Sequence, residues 1–234
     1  MGGGVVYPNI SICEDKDDYD LHLNDIGIIG TYVEIGGIKW ATKNIGADSV
    51  TDYGQYFQWG DISGYTAEQV GYGTGEKAFT WEDYKYNDGT TSPTAANMTK
   101  YNATDGKTVL DLSDDGVYAA WGGNWRTPTT EQFVALGAAV NTAWTTNYMD
   151  SGVSGLICTD KIDSNKVLFF PAAGYVRNGV VDSTNGVEYW SKSLYSNKLY
   201  AYMMWFNNNQ SQYNWQYSQV LRRTGFLLRG ILVD

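Results

Sequence analysis

The clearest helical pattern in this chain of 234 residues is "TPTTEQFVALGAAV", residues 127 to 140. Thr129 can cap the helix, Gln132 sits three residues later as its capping-box partner, and Phe133, Leu136 and Val140 make one apolar stripe. Such a stripe docks a structural helix on a sheet. Beyond the helix the chain is β-like: "KVLFFPAAGYV", "GVEYWSKSL", "LYAYMMWFN" and the terminal "GFLLRGILV" are short runs separated by Asn, Gly and Ser turns. A helix leading into several antiparallel strands predicts an α+β fold. No repeat of the length that solenoids or propellers use is present.

Ahead of the helix the chain divides in three. "MGGG" and the acidic "CEDKDDYDLHLND" (13–25) have no helical or strand period, so residues 1–29 read as an N-terminal extension or leader to a single domain over 30–234. In "GTYVEIGGIKWATKNIG" (30–46), Tyr32 and Glu34 alternate with Val33 and Ile35, and Gly36-Gly37 turn the chain into Ile38 to Trp40, which predicts a hairpin. Residues 60–118 are rich in Gly, Asp, Thr, Asn and Tyr without a sustained period. They read as long irregular loops with short strands, of the kind that is usually functional or disordered.

Charge and composition exclude several functions. A formal charge of −10, with no Lys/Arg cluster longer than Arg222-Arg223, disfavours nucleic acid. The longest apolar runs fall well short of a bilayer span, which predicts a soluble chain without membrane insertion. With His22 the sole histidine and no CxxC spacing, neither a zinc site nor any other cofactor is expected. Cys13 and Cys158 could form one disulfide in an exported protein or stay as two buried thiols, and both readings remain open. Catalysis has little to stand on, because no GxSxG or HExxH motif is present and no nucleophile has an evident base. The adjacent pairs Asp17-Asp18 and Asp114-Asp115 read as solvated turns.

Six ordered motifs carry a resemblance: "IGGIKWATKNIGA", "YGQYFQWGD", "WGGNWRTPTTEQFVAL", "LFFPAAGY", "EYWSKS" and "GFLLRG". Together they resemble the Fibrobacter major paralogous domain family of exported Bacteroidetes proteins, over residues 30–234. That family is similar to the C-type lectin-like fold, shared with formylglycine-generating enzymes and with the variable proteins of diversity-generating retroelements. The resemblance implies one or two helices, short antiparallel strands and long loops, with Tyr32 to Ile35 lying beside Phe226 to Val233. It also implies that Trp40, Trp59, Trp125 and Trp190 are packing anchors, as tryptophans beside small residues usually are. The calcium-chelating triplets of sugar-binding C-type lectins are missing, and "YNWQYS" offers no carboxylate to a hard cation. The cysteine pair of the formylglycine-generating enzymes has no counterpart near the C-terminus.

In that fold the chain before the last strand faces the ligand, and here it is "YSNKLYAYMMWFNNNQSQYNWQYSQ" (195–219). Tyr and Trp supply stiff contact area while Asn, Ser and Gln supply adaptable hydrogen bonds, the mixture that antibody paratopes use. The competing view is an edge hairpin whose Tyr content reflects β-propensity alone. The candidate ligand-binding residues are Tyr195, Asn197, Tyr200, Trp205, Asn208, Asn209, Tyr213, Asn214, Trp215, Tyr217 and Ser218. Retroelement diversification alters adenines, chiefly in Asn codons, and can reach Tyr, Ser, Asn and Leu. The resemblance then makes Tyr189, Trp190, Ser191, Ala201, Phe206, Gly225 and Phe226 a fixed frame. Lys198, Met203, Met204, Trp205, Gln210, Gln212, Trp215 and Gln216 depart from that codon pattern.

The function expected is a non-catalytic ligand-binding protein, exported or carried on a cell surface or phage particle, that contacts a protein or glycan. The alternatives are a structural subunit of a surface assembly or adhesin and, with least support, a formylglycine-generating-type enzyme. The sequence leaves the oligomeric state open.

Overall fold

The structure is a computed structural model, and it describes residues 31–73, 75–182, 186–207 and 216–234. Residues 1–30, with Cys13 and His22, lie outside the described part. In chain order the elements begin with β1 (Tyr32–Ile35), β2 (Ile38–Asn44), β3 (Tyr56–Phe57), α1 (Gly116–Trp121), β4 (Trp125–Arg126) and α2 (Thr130–Ala139). Next come β5 (Val140–Thr145), β6 (Gly155–Asp160), β7 (Val167–Pro171), β8 (Tyr175–Arg177) and β9 (Val180–Asp182). The chain finishes with β10 (Gly186–Leu194), β11 (Tyr200–Asn207), β12 (Gln216–Leu221), β13 (Phe226–Leu227) and β14 (Arg229–Leu232). The fold is mixed α+β, with mostly antiparallel strands and two α-helices among the described residues.

Local signals explain the first hairpin and the long helix. Gly36 and Gly37 have φ of 62° and 73°, the sign pattern of a type I′ turn that side chains resist, and Ile35 pairs with Ile38 across it. At α2 the Gln132 N–H donates to Thr129 Oγ1 at 3.2 Å, and the Thr129 N–H donates to Gln132 Oε1 at 2.8 Å. Phe133 and Leu136 are buried on its inner face, and Val140, also buried, already belongs to β5.

One predicted neighbour relation is corrected. The four-stranded sheet runs β1-β2-β14-β4, so β2 separates the first strand from the last. The reason is the burial of β2, whose Trp40 and Ala41 are fully enclosed and need partners on both edges, while β1 is the outermost strand among the described residues. The terminal run also splits: β13 joins a five-stranded sheet, β12-β11-β10-β13-β3, and β14 joins the four-stranded one. The single pairing of β13 with β10, Tyr189 opposite Leu227, is parallel. Leu228 stands between the two sheets, and its carbonyl accepts from the Ile45 N–H at 3.1 Å.

A second correction concerns Asp114-Asp115, which are buried rather than solvated. Asp115 caps α1, accepting at Oδ1 from the N–H groups of Val117 (3.0 Å) and Tyr118 (3.3 Å), and it also accepts from Thr127 Oγ1 at 2.6 Å. Asp114 accepts from Tyr101 Oη at 2.6 Å and from Lys100 Nζ. Helix α1 itself went unseen because six residues starting at a glycine show no period.

Ahead of α1, residues 60–115 contain single 3₁₀ turns and isolated bridges, yet five of their aromatics, Phe79, Trp81, Tyr84, Tyr86 and Tyr101, are core. Phe79 fits the first of two apolar clusters, with Trp40, Phe133, Leu136, Tyr189, Met204 and Ile231. Trp81, Tyr84, Tyr86 and Tyr101 fit the second, with Trp59, Trp125, Trp190, Met203 and Phe226. The five-stranded sheet is the layer between them: successive residues of β10, β11 and β13 point alternately into one cluster and the other. All four tryptophans named as anchors are buried. Cys158 is a free, fully buried thiol, pushed up by that burial.

Candidate tyrosine face on the outer hairpin

Strands β11 and β12 form the outer hairpin of the five-stranded sheet, and β12 is its edge among the described residues. The pleat sets two faces. Met204 and Phe206 enter the first cluster, paired with Tyr189 and Val187 on β10, and Phe206 also stacks on Trp144 of β5 (6.2 Å, 9°). Towards the other end of the same face lie Tyr200 and Tyr202, partly buried and part of neither cluster. Ala201 and Met203 point the opposite way, into the second cluster, and Trp205 packs against it.

Four tyrosines meet there. The Tyr202 ring lies edge to face with Tyr195 at 5.3 Å and 87°, and with Tyr217 at 6.2 Å and 69°. Tyr195 also meets Tyr200 at 6.4 Å and 77°. Edge-to-face contacts at these separations are mutually attractive and stiffen the rings. Tyr217 remains 59% exposed, so the cluster opens to solvent through the edge strand.

The turn from β10 to β11 holds this cluster in place. Asn197 Oδ1 accepts from the Leu199 N–H at 3.1 Å, and its carbonyl accepts from the Tyr200 N–H at 3.0 Å. From behind, the fully buried Arg222 donates through Nη1 to the Lys198 carbonyl at 2.7 Å, and its own N–H donates to the Leu199 carbonyl at 3.0 Å. The same guanidinium donates to Tyr84 Oη (2.7 Å) and the carbonyls of Tyr101 (3.2 Å) and Lys100 (3.0 Å). It sits over Trp59, 5.1 Å from the ring centre, and over Tyr84 at 5.2 Å. One cation therefore fastens the turn beneath the tyrosines to the aromatic loops of residues 60–118.

Of the predicted contact residues, Tyr195, Tyr200 and Tyr217 come together. Asn197 is exposed but works as a turn residue. Trp205 and Ser218 are carried to the opposite face, where Ser218 pairs with Met203 and Trp205 with Glu188. Asn208, Asn209, Tyr213, Asn214 and Trp215 lie outside the described residues. Tyr202, the hub of the cluster, was missed, although its two-residue spacing from Tyr200 was a readable signal. The residues expected to form a fixed frame, Tyr189, Trp190, Ser191, Ala201, Phe206, Gly225 and Phe226, are all buried. At Gly225 an added Cβ would stand 2.5 Å from the Phe79 ring.

Among the described residues no three of His, Cys, Asp and Glu are grouped to hold a metal ion, and no helix is long and apolar enough to cross a membrane. The chain matches no family model, no curated protein and no solved structure.

Proposed function

We propose that this protein is a non-catalytic ligand-binding protein whose outer hairpin presents tyrosines to a protein or glycan. The observation that carries the reading is the meeting of Tyr195, Tyr200, Tyr202 and Tyr217 on one open face at the sheet edge. Packing alone gives no reason for four phenols to gather where neither apolar cluster reaches. Tyrosines stiffened by one another lose little entropy when a ligand docks, which is what a recognition surface needs.

The finer assignment, a C-type lectin-like fold of the Fibrobacter major paralogous domain family, is supported by three features. The opening hairpin and the terminal strand share a sheet, the capped helix precedes the antiparallel strands, and the motif tryptophans are anchors. Diversification by a retroelement fits the same arrangement. Met203 and Met204, which such codons do not reach, are core residues rather than surface ones. Export to a cell surface or phage particle rests on the family reading. The non-catalytic reading is supported by Cys158, whose buried thiol stays protonated and out of reach.

A structural subunit of a surface assembly is the second reading, favoured by β12 standing, among the described residues, at a sheet edge where another chain could add a strand. Binding to glycan and protein arrays and to whole bacterial cells separates the two, with Tyr202→Ala and Tyr217→Ala beside the unaltered protein. Binding lost in both variants supports recognition. Binding that survives both overturns it, and concentration-dependent self-association then favours assembly.

A further inference from the structure

The most unusual side chain on the other face of the five-stranded sheet is Glu188. It stands on β10 directly opposite Trp205 of β11, so the carboxyl and the indole share one side of the sheet. Its Oε2 is buried with no hydrogen-bond partner among the described residues. The carboxyl folds back along its own strand over Gly186, where an added Cβ would stand 2.9 Å from Oε1. Around it are Tyr56 of β3, Tyr175 of β8, Asp182 of β9 and Trp205 of β11. The nearest cation on these elements, Arg177 of β8, is exposed and lies over the Tyr175 ring, 5.6 Å from its centre. Tyr175 pairs with Asp182 across the β8–β9 hairpin and packs on Phe226.

We propose that Glu188 is a proton-controlled latch for the outer hairpin: while its carboxyl is neutral, β11 seats against β10 with Trp205 opposite the acid, and ionisation weakens that seat. A carboxylate oxygen enclosed without a partner costs far more than the same oxygen of a neutral acid. Burial first, and the neighbouring charge of Asp182 second, push the Glu188 carboxyl up from 4.5 to about 7. The charge therefore appears across the neutral range instead of well below it.

Which strand yields is decided by what holds each one. β10 is fixed on its far side by β13, and the Trp190 indole donates to the Phe57 carbonyl at 2.8 Å. β11 has only the edge strand β12 beyond it among the described residues. Trp205 is only partly buried, so water reaches an ionised Glu188 by displacing its indole and loosening β11 around it. The latch stands independently of the binding reading, and if both hold, the tyrosine face on the same hairpin is best ordered in mildly acidic surroundings.

Amide hydrogen exchange of the full chain tests this, with each rate divided by its intrinsic value so that only protection is compared. Between about pH 5.5 and about pH 8, protection of β11 amides should fall on the order of tenfold, while the β5–β6–β7 sheet changes little. In Glu188→Gln, which keeps the shape and cannot ionise, the fall should vanish. Equal protection of β11 at both pH values in the unaltered protein, or the same fall in Glu188→Gln, overturns the latch. If Glu188→Gln does not fold, carboxyl-carbon NMR of the unaltered protein decides: a Glu188 midpoint at about pH 6 to 8 supports it, and one below about pH 5 overturns it.

Discussion

The Trp59 indole donates to the Ser191 carbonyl at 2.9 Å. One residue before that carbonyl, the Trp190 indole donates in the opposite direction to the carbonyl of Phe57, so the two tryptophans stitch β3 to β10 over the intervening β13. Both rings are buried and both N–H groups are satisfied, which is how a Trp serves as an anchor and not as a contact residue.

Truncating such anchors should be costly. Trp125→Ala, which removes a buried ring stacked edge-on against Trp121 at 4.9 Å, should lower stability by about 3 to 5 kcal/mol. Trp59→Phe keeps much of the volume but leaves the Ser191 carbonyl without its donor, and should cost about 1 to 3 kcal/mol. Urea melts with an unchanged slope measure both.

The tyrosine face should behave in the opposite way. Tyr217→Ala removes a side chain that is mostly in water and should change stability by no more than about 0.5 kcal/mol. Binding should drop by about 2 kcal/mol or more at one or two of Tyr200, Tyr202 and Tyr217, as hot spots do. If these variants unfold as badly as Trp125→Ala, the tyrosines are core.

Arg222 should tolerate no substitution. Its guanidinium is fully buried and satisfies one hydroxyl and three carbonyls, so Arg222→Ala strands four acceptors as well as opening a cavity. A loss above about 3 kcal/mol is expected. Arg222→Lys should rescue little of it, since an ammonium cannot reproduce the planar fork. Thermal melts of the two variants side by side check this.

Stability should peak in mildly acidic solution, because two acids are shifted in opposite directions. Glu188 has a folded-state value above its unfolded one, so the folded protein holds the proton more tightly, and stability falls as pH rises from about 4.5 through about 7, by about 3 kcal/mol at most. For Asp114, burial raises the carboxyl but hydrogen bonds from Lys100 and Tyr101 outweigh it and hold the group down at about 2. Its contribution is present above 3.8 and is lost as pH falls towards 2. Denaturation midpoints against pH should lose their alkaline fall in Glu188→Gln and keep their acid fall.

Capped ends, turns and runs of one residue class were legible in the sequence because each is settled by neighbours along the chain. Thr129 and Gln132 satisfy each other within one helical turn, and Gly36-Gly37 supply positive φ wherever the hairpin ends up. The β-like runs and the tryptophan anchors were readable for the same reason. What the sequence did not carry was which face of a strand meets which surroundings. The five-stranded sheet is buried on both sides over most of β11, so the strand reads as an apolar run without alternation, and only the two-residue spacing from Tyr200 sets Tyr202 apart from Trp205. Only the meeting of distant segments placed β2 between the first and last strands, buried Asp114 and Asp115, and closed Tyr84, Tyr86 and Tyr101 around Arg222. The same is true of Glu188, an ordinary acid in the sequence, whose burial opposite Trp205 comes from strand register and from the β8–β9 hairpin that brings Asp182 beside it.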